Sequence, residues 1–240
     1  MGWFDFLTKK GPSSDAIAKQ VQKAKEPYAQ PDYRRMAMDQ LLKWDTEQSL
    51  RGIMERFCVV VQSPHWDEEE KHWLVDELVA RGDKTLPILK KFILERNEVN
   101  YALQAMERIT KEKSAYRDIL VEALKHRPPA DHRSVQGKQE IIAAMMELND
   151  ESLEDLILPH LNDHSDDVQC LAISAVIKSH RPEVRDSLLK IIASEDHSAR
   201  VMRTAAALIC ENKYELPDTL VLAPILAEDY KVEKNLLLRI

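Results

Sequence analysis

The sequence predicts an all-α fold, an α–α superhelix of about six stacked helix pairs, and three observations point to it. Glycine is scarce, at 5 of 240 residues, which leaves an all-β chain without the residue its tight turns need at positive φ. Apolar residues recur at helical spacing along most of the chain, as in Leu153, Leu156, Ile157 and Leu161. The third observation is a repeat: Val168, Ala172 and Val176 match Val201, Ala205 and Ile209 at a constant offset of 33 residues. A period of that size marks two-helix units that stack because one unit cannot bury its own apolar face.

Residues 8–15 read as a flexible link from an aromatic N-terminal segment, 1–14, into a solenoid spanning 15–240. A leading helix is expected near 15–26. First helices follow near 31–43, 67–81, 98–110, 134–148, 166–179 and 198–211. Their partners are expected near 46–57, 84–95, 114–125, 151–161, 183–193 and 218–227. The partners carry matching apolar stripes, such as Leu50, Ile53, Met54 and Phe57, and later Val184, Leu188, Leu189 and Ile192. Asp and Ser in the turns before 168 and 201 suit N-caps, since their oxygens accept from free N–H groups of the first turn. The β-branched run in 57–66 favours extended backbone, and Pro128-Pro129 keeps 126–133 out of helix. The last stretch, 230–240, reads as a small β-hairpin turning near Lys234-Asn235, or else as a capping helix within a terminal cap at 228–240.

Charge narrows the function classes. The net charge is −7, with +2 in residues 1–30 and −9 in the remaining 210. An acidic body repels phosphates at long range, so no nucleic-acid partner is expected. No apolar run approaches the ~18 residues of a membrane span. Three widely spaced cysteines, Cys58, Cys170 and Cys210, lack zinc-knuckle or CxxC spacing and point to a reducing, cytoplasmic setting. The N-terminus lacks the basic-then-apolar order of a secretory leader.

Several stretches carry a family resemblance. Asp166-Asp-Val-x-x-x-Ala-x-x-Ala175 and Ser198-Ala-Arg-Val-Met-Arg-Thr-Ala-Ala206 look like HEAT repeats. The Met1-Gly-x-Phe-Asp-Phe6 start, Tyr28-Ala-Gln30, Asp67-Glu-Glu-Glu-Lys71 and Tyr230-x-Val-Glu-Lys234 resemble bacterial HEAT repeat domain-containing proteins of uncharacterised function. The resemblance covers nearly the whole chain. It implies a HEAT-type α-solenoid acting in protein interaction, and it implies no reaction.

HEAT-repeat hydroxylases use His-Glu dipeptides as di-iron ligands, and none of the eight histidines here precedes Glu. Alkylbase DNA glycosylases on a HEAT-like scaffold need a cationic groove. Trp44, Trp66 and Trp73 offer aromatics, but on an acidic body. Phycobilin lyases carry related repeats, so a cofactor handler stands as the alternative to a binding module. The His160, Asp163, His164, Asp166, Asp167 cluster has metal-capable side chains, yet it falls in an inter-repeat turn where Asp and Ser belong for capping. Asp67-Glu68-Glu69-Glu70 falls in the first turn of a helix, where acids complement the dipole. No catalytic residue, metal or cofactor is assigned.

Two surfaces suit a protein or peptide partner. Aligning the second helices on their last apolar residue places Glu55, Lys91, Glu122, Pro159 and Lys190 in one row of alternating charge. The N-terminal Trp3, Phe4 and Phe6, followed by Lys9 and Lys10, form the other candidate. That segment suits a cap on the stack, a linear motif for a partner, or a weak peripheral contact with an anionic membrane.

Overall fold

The computed structural model describes residues 11–179 and 181–240. They form a mostly helical chain ending in one two-stranded antiparallel sheet. The chain divides into two compact units, 1–113 and 114–240.

The first unit contains α1 (Ser14–Ala24), α2 (Pro31–Trp44), α3 (Glu47–Met54), α4 (Pro64–Ala80), α5 (Leu86–Glu95) and α6 (Asn100–Ile109). Local chemistry sets the starts. The Ser13 hydroxyl accepts from the Ala16 N–H at 3.2 Å, and Thr46 and Ser49 form a reciprocal capping box on α3. Pro31 and Pro64 open α2 and α4, where a missing N–H costs nothing. α1 and α2 pack together and both touch α3; further on, α3 lies against α5, and α4 and α5 against α6. Gly52 permits the α1–α3 approach, because a Cβ there would sit 2.6 Å from Val21 Cγ2. The shared interior holds Met38, Leu41, Leu50, Ile53, Leu74 and Leu89.

The second unit begins with α7 (Lys113–Lys125) and continues through α8 (Val135–Leu148), α9 (Glu154–Ile157), α10 (Asp166–Ala175), α11 (Pro182–Ala193) and α12 (Ala199–Asn212). α8, α10 and α12 lie side by side, and α11 packs on α12. The six residues matched at the 33-residue offset, from Val168 to Ile209, are all fully buried. Sequence period and core position therefore coincide. The strands β1 (Tyr230–Glu233) and β2 (Leu236–Arg239) form the hairpin that the sequence favoured. Lys234 and Asn235 turn it with φ of 50° and 59°, the left-handed pair that matches strand twist. β2 covers α12 through buried Leu237, whose carbonyl accepts from Cys210 Sγ at 3.1 Å.

Three elements differ from expectation. The partner helix expected at 218–227 does not form; a 3-10 turn, Pro224–Leu226, stands in its place. Pro217 and Pro224 break the ladder, and tertiary carbonyls take the donors instead, Asn235 from the Leu216 N–H and Ile192 from the Ala223 N–H. The partner at 151–161 is split into 3-10, α and 3-10 segments, with Pro159 opening the last. α10 stops at Ala175, four residues before the expected end. Val176 leaves helical geometry, and Ser174 bonds back to the Cys170 carbonyl at 2.9 Å.

Candidate functional site

Each unit buries a cluster of charge near the start of one of its helices, α4 in the first and α8 in the second. In the first unit, Arg34 on α2, Arg56 in the 3-10 turn Glu55–Cys58, and Asp67, Glu70 and Lys71 on α4 are all buried. Glu70 accepts from the Arg34 Nη2 at 2.8 Å and from the Arg56 Nε at 2.9 Å. Asp67 accepts from the Arg56 Nη2 at 2.7 Å, the Lys71 Nζ at 2.6 Å and the Val61 N–H at 3.1 Å. The Arg56 Nη1 also reaches the Val59 carbonyl at 2.7 Å. The extended stretch between α3 and α4 is thus held by charge, and the acids that suited a helix dipole also form the buried ends of this network. Burial would raise the Asp67 carboxyl, but hydrogen bonds from Lys71 and Arg56 outweigh it and the group titrates below its ordinary value.

Beside the cluster, Tyr101 on α6 stacks on Phe57 with ring centroids 5.5 Å apart and donates to Glu68 at 2.8 Å. Burial and Glu68 push the Tyr101 hydroxyl up. The tyrosine is locked as a donor, which disfavours a role as an acid or base near neutral pH.

In the second unit, Lys138 on α8 and Asp163 in the turn before α10 are fully buried and paired at 2.6 Å. The His160 Nδ1 lies 3.2 Å from Asp163, and the His164 Nδ1 lies 3.1 Å from the same carboxylate. Lys138 and His164 both reach the Pro129 carbonyl, at 3.3 and 3.0 Å. The two prolines that keep this loop out of helix therefore present a carbonyl to the cluster. Asp163, one of the metal-capable residues of this turn, is already the acceptor for Lys138, and Asp167 pairs with Arg200 at 2.6 Å. No group of three or more His, Cys, Asp or Glu among the described residues is placed to hold a metal ion.

The row residues separate into two kinds. Lys91 on α5, Pro159 and Lys190 on α11 are exposed. Glu55 is mostly covered and tied to Arg96 and to Lys25, the latter at 3.5 Å. Glu122 on α7 is half-buried. Lys91 and Lys190 thus remain as surface cations in separate units, while Glu55 serves to join helices. Trp3, Phe4 and Phe6 lie outside the described residues.

The other candidates sit apart from these rows. The Arg35 guanidinium lies 3.3 Å over the Trp73 ring, Trp66 is exposed and Trp44 half-buried. The cysteines are all half-buried and free; burial, together with Glu98 and Glu55, pushes the Cys58 thiol up to about 12, which makes it unreactive near neutral pH. An open groove of about 720 Å³ between α10 and α12 is lined by Ile173, Ile177, Leu208, Arg200 and Arg203 among others. It borders the helix that ends early.

The buried clusters had a sequence signal that composition concealed. Arg34 lies in register with Met38 and Leu41, Asp67 and Glu70 with Leu74 and Leu78, and Lys138 with Ile141 and Met145. A charge standing in an apolar stripe is expected to be buried with a partner. No helix among the described residues is long and apolar enough to cross a membrane. No family model matches this chain, and neither a curated protein nor a solved structure matches it.

Proposed function

We propose that the chain is a HEAT-type α-solenoid that acts as a non-enzymatic interaction module, binding a protein or peptide through the second-helix surface of its units. One observation carries the reading: the residues matched at the 33-residue offset are the ones buried between neighbouring helices α10 and α12. Equivalent positions in successive repeats with equivalent packing are what nearest-neighbour stacking requires. The second helices α3 and α5 also pack side by side, as do the first helices α4 and α6. Exposed Lys91 and Lys190 on second helices then offer charges to an acidic or mixed-charge partner. Arg34, Arg56, Asp67, Glu70, Lys71, Lys138 and Asp163 are engaged in ion pairs within their own unit, which favours a role in stability.

The test is quantitative affinity purification from the native cell with the wild type and with the Lys91→Glu, Lys190→Glu double variant. The expected result is one partner recovered in stoichiometric amount by the wild type and depleted at least tenfold by the variant, with equal thermal stability of the two proteins. Recovery of the protein alone, or of the same set by both forms, overturns the reading. A metal or pigment that copurifies in stoichiometric amount would favour the cofactor-handling alternative.

A further inference from the structure

We propose that His160, Asp163 and Lys138 form a pH-sensitive clasp that pins the 126–134 loop to the turn before α10 and opens it selectively below about pH 6.5. The geometry places three nitrogen groups on one carboxylate. Lys138 takes both Asp163 oxygens, at 2.9 and 2.6 Å. The His160 Nδ1 bonds the same group at 3.2 Å, and the His164 Nδ1 lies 3.1 Å from it. An ionised carboxylate only accepts, so His160 presents its Nδ1–H to Asp163 and is a neutral donor near pH 7, while the His164 Nδ1 bonds the Pro129 carbonyl.

The arrangement holds one full positive charge against one negative charge while the imidazoles are neutral. A proton on His160 adds a second cation in a place where only 3% of the residue is exposed. A proton on His164 adds a third at the rim, and the His132 ring lies only 3.9 Å from it, centroid to centroid. Lys138 then competes with imidazolium for Asp163, and Lys138 and His164 are the groups that hold the Pro129 carbonyl.

Among the described residues, Asp163 is the anion that acts on His160, and the charged groups on the surrounding elements are engaged elsewhere or oppose it. On α8 the group is Lys138. The loop carries Arg127, Asp131 and Arg133, and the Asp131 side chain accepts from the Arg133 N–H at 3.0 Å. On α9, Glu154 accepts from Ser179 at 2.8 Å and Asp155 pairs with Arg181 at 2.6 Å. On α10, Asp166 is exposed and Asp167 pairs with Arg200 at 2.6 Å. Burial accordingly holds His160 below its ordinary value of 6.5, with Asp163 only partly offsetting this. A depressed histidine value means that the unfolded or opened segment binds the proton first. Protection is therefore full above pH 6.5 and falls as pH drops from there towards the folded value.

The experiment is hydrogen–deuterium exchange of the full chain at pH 7.5 and 5.0, with intrinsic exchange rates corrected for pH. Peptides over 126–134 and 158–169 are expected to lose protection by up to roughly thirtyfold, the limit for 1.5 pH units on one proton. Peptides over α4–α6 are expected to change less than threefold. His160→Gln, which keeps a donor near Asp163 but cannot titrate there, is expected to flatten the response. A loss shared evenly along the chain, or an unchanged response in His160→Gln, overturns the proposal. Should that variant fail to fold, nuclear magnetic resonance titration of His160 in the wild type decides. A midpoint at or above 6.5, or one with no coupled shifts at Pro129–Ala130, overturns the clasp.

Discussion

The two units face the same problem and solve it with different ions. Each has an irregular stretch leading into a helix, 59–63 before α4 and 126–134 before α8. Each pins that stretch with a buried charge at the fourth residue of the helix, Asp67 in one and Lys138 in the other. The first unit gathers five charged groups, with two guanidiniums sharing Glu70. The second relies on one ammonium, one carboxylate and two nearby imidazoles. Guanidinium stays charged at any physiological pH and grips through several donors, whereas a lysine pair ringed by histidines has fewer donors and a titratable shell. The comparison teaches that a buried anchor can be redundant and indifferent to pH near neutrality, or spare and responsive.

Breaking the first anchor should have the largest effect. Glu70→Ala leaves Arg34 and Arg56 facing each other without their common acceptor, and a loss of about 4–5 kcal/mol, the upper part of the range for a broken buried pair, is expected in urea unfolding. Matched lysine substitutions sharpen the contrast. Lys138→Met is expected to cost about 3 kcal/mol, because Asp163 is left in a buried site with only imidazole and backbone donors. Lys71→Met is expected to cost only about 1 kcal/mol, because Asp67 keeps Arg56 and the Val61 N–H. Equal losses in the two variants would end the claim that one anchor is redundant.

The smallest effect is the acid response of the first unit. Asp67 titrates below its ordinary value of 3.8, so its stabilisation is present above that value and is lost as pH falls through the folded one. Exchange protection over 57–63 should therefore hold at pH 5 and fail only below about pH 4. Loss of that protection near pH 6 would erase the distinction between the two anchors.

Much of the helical order was legible, because periodic apolar residues and caps act locally. α2, α8 and α12 fall where their stripes and turns place them, and their ends are marked by Asp45, Asn149 and Lys213 at positive φ. The misplaced elements are those where proline or tertiary hydrogen bonds compete with the ladder, as at Pro159, Pro217 and Pro224. The candidate surface was legible only in part. Lys91 and Lys190 are exposed, but the alternating-charge row overlooked that Glu55 is engaged by Arg96 and Lys25. Pairing across 36 residues, as between Arg34 and Glu70, leaves no local periodicity to read. Its trace was the charge embedded in the apolar stripe.

Gly52 has a practical consequence for anyone who trims the chain. The longer helix α2 begins at Pro31, which invites a shortened protein starting there. Yet α1 lies so close over Gly52 that Val21 occupies the space a side chain would fill. Deleting residues before Pro31 would leave the strip of α3 backbone at Gly52, now covered by Val21 and Ile17, open to water. The smallest fragment that keeps this seal starts at Ser13, whose hydroxyl fastens the first turn of α1.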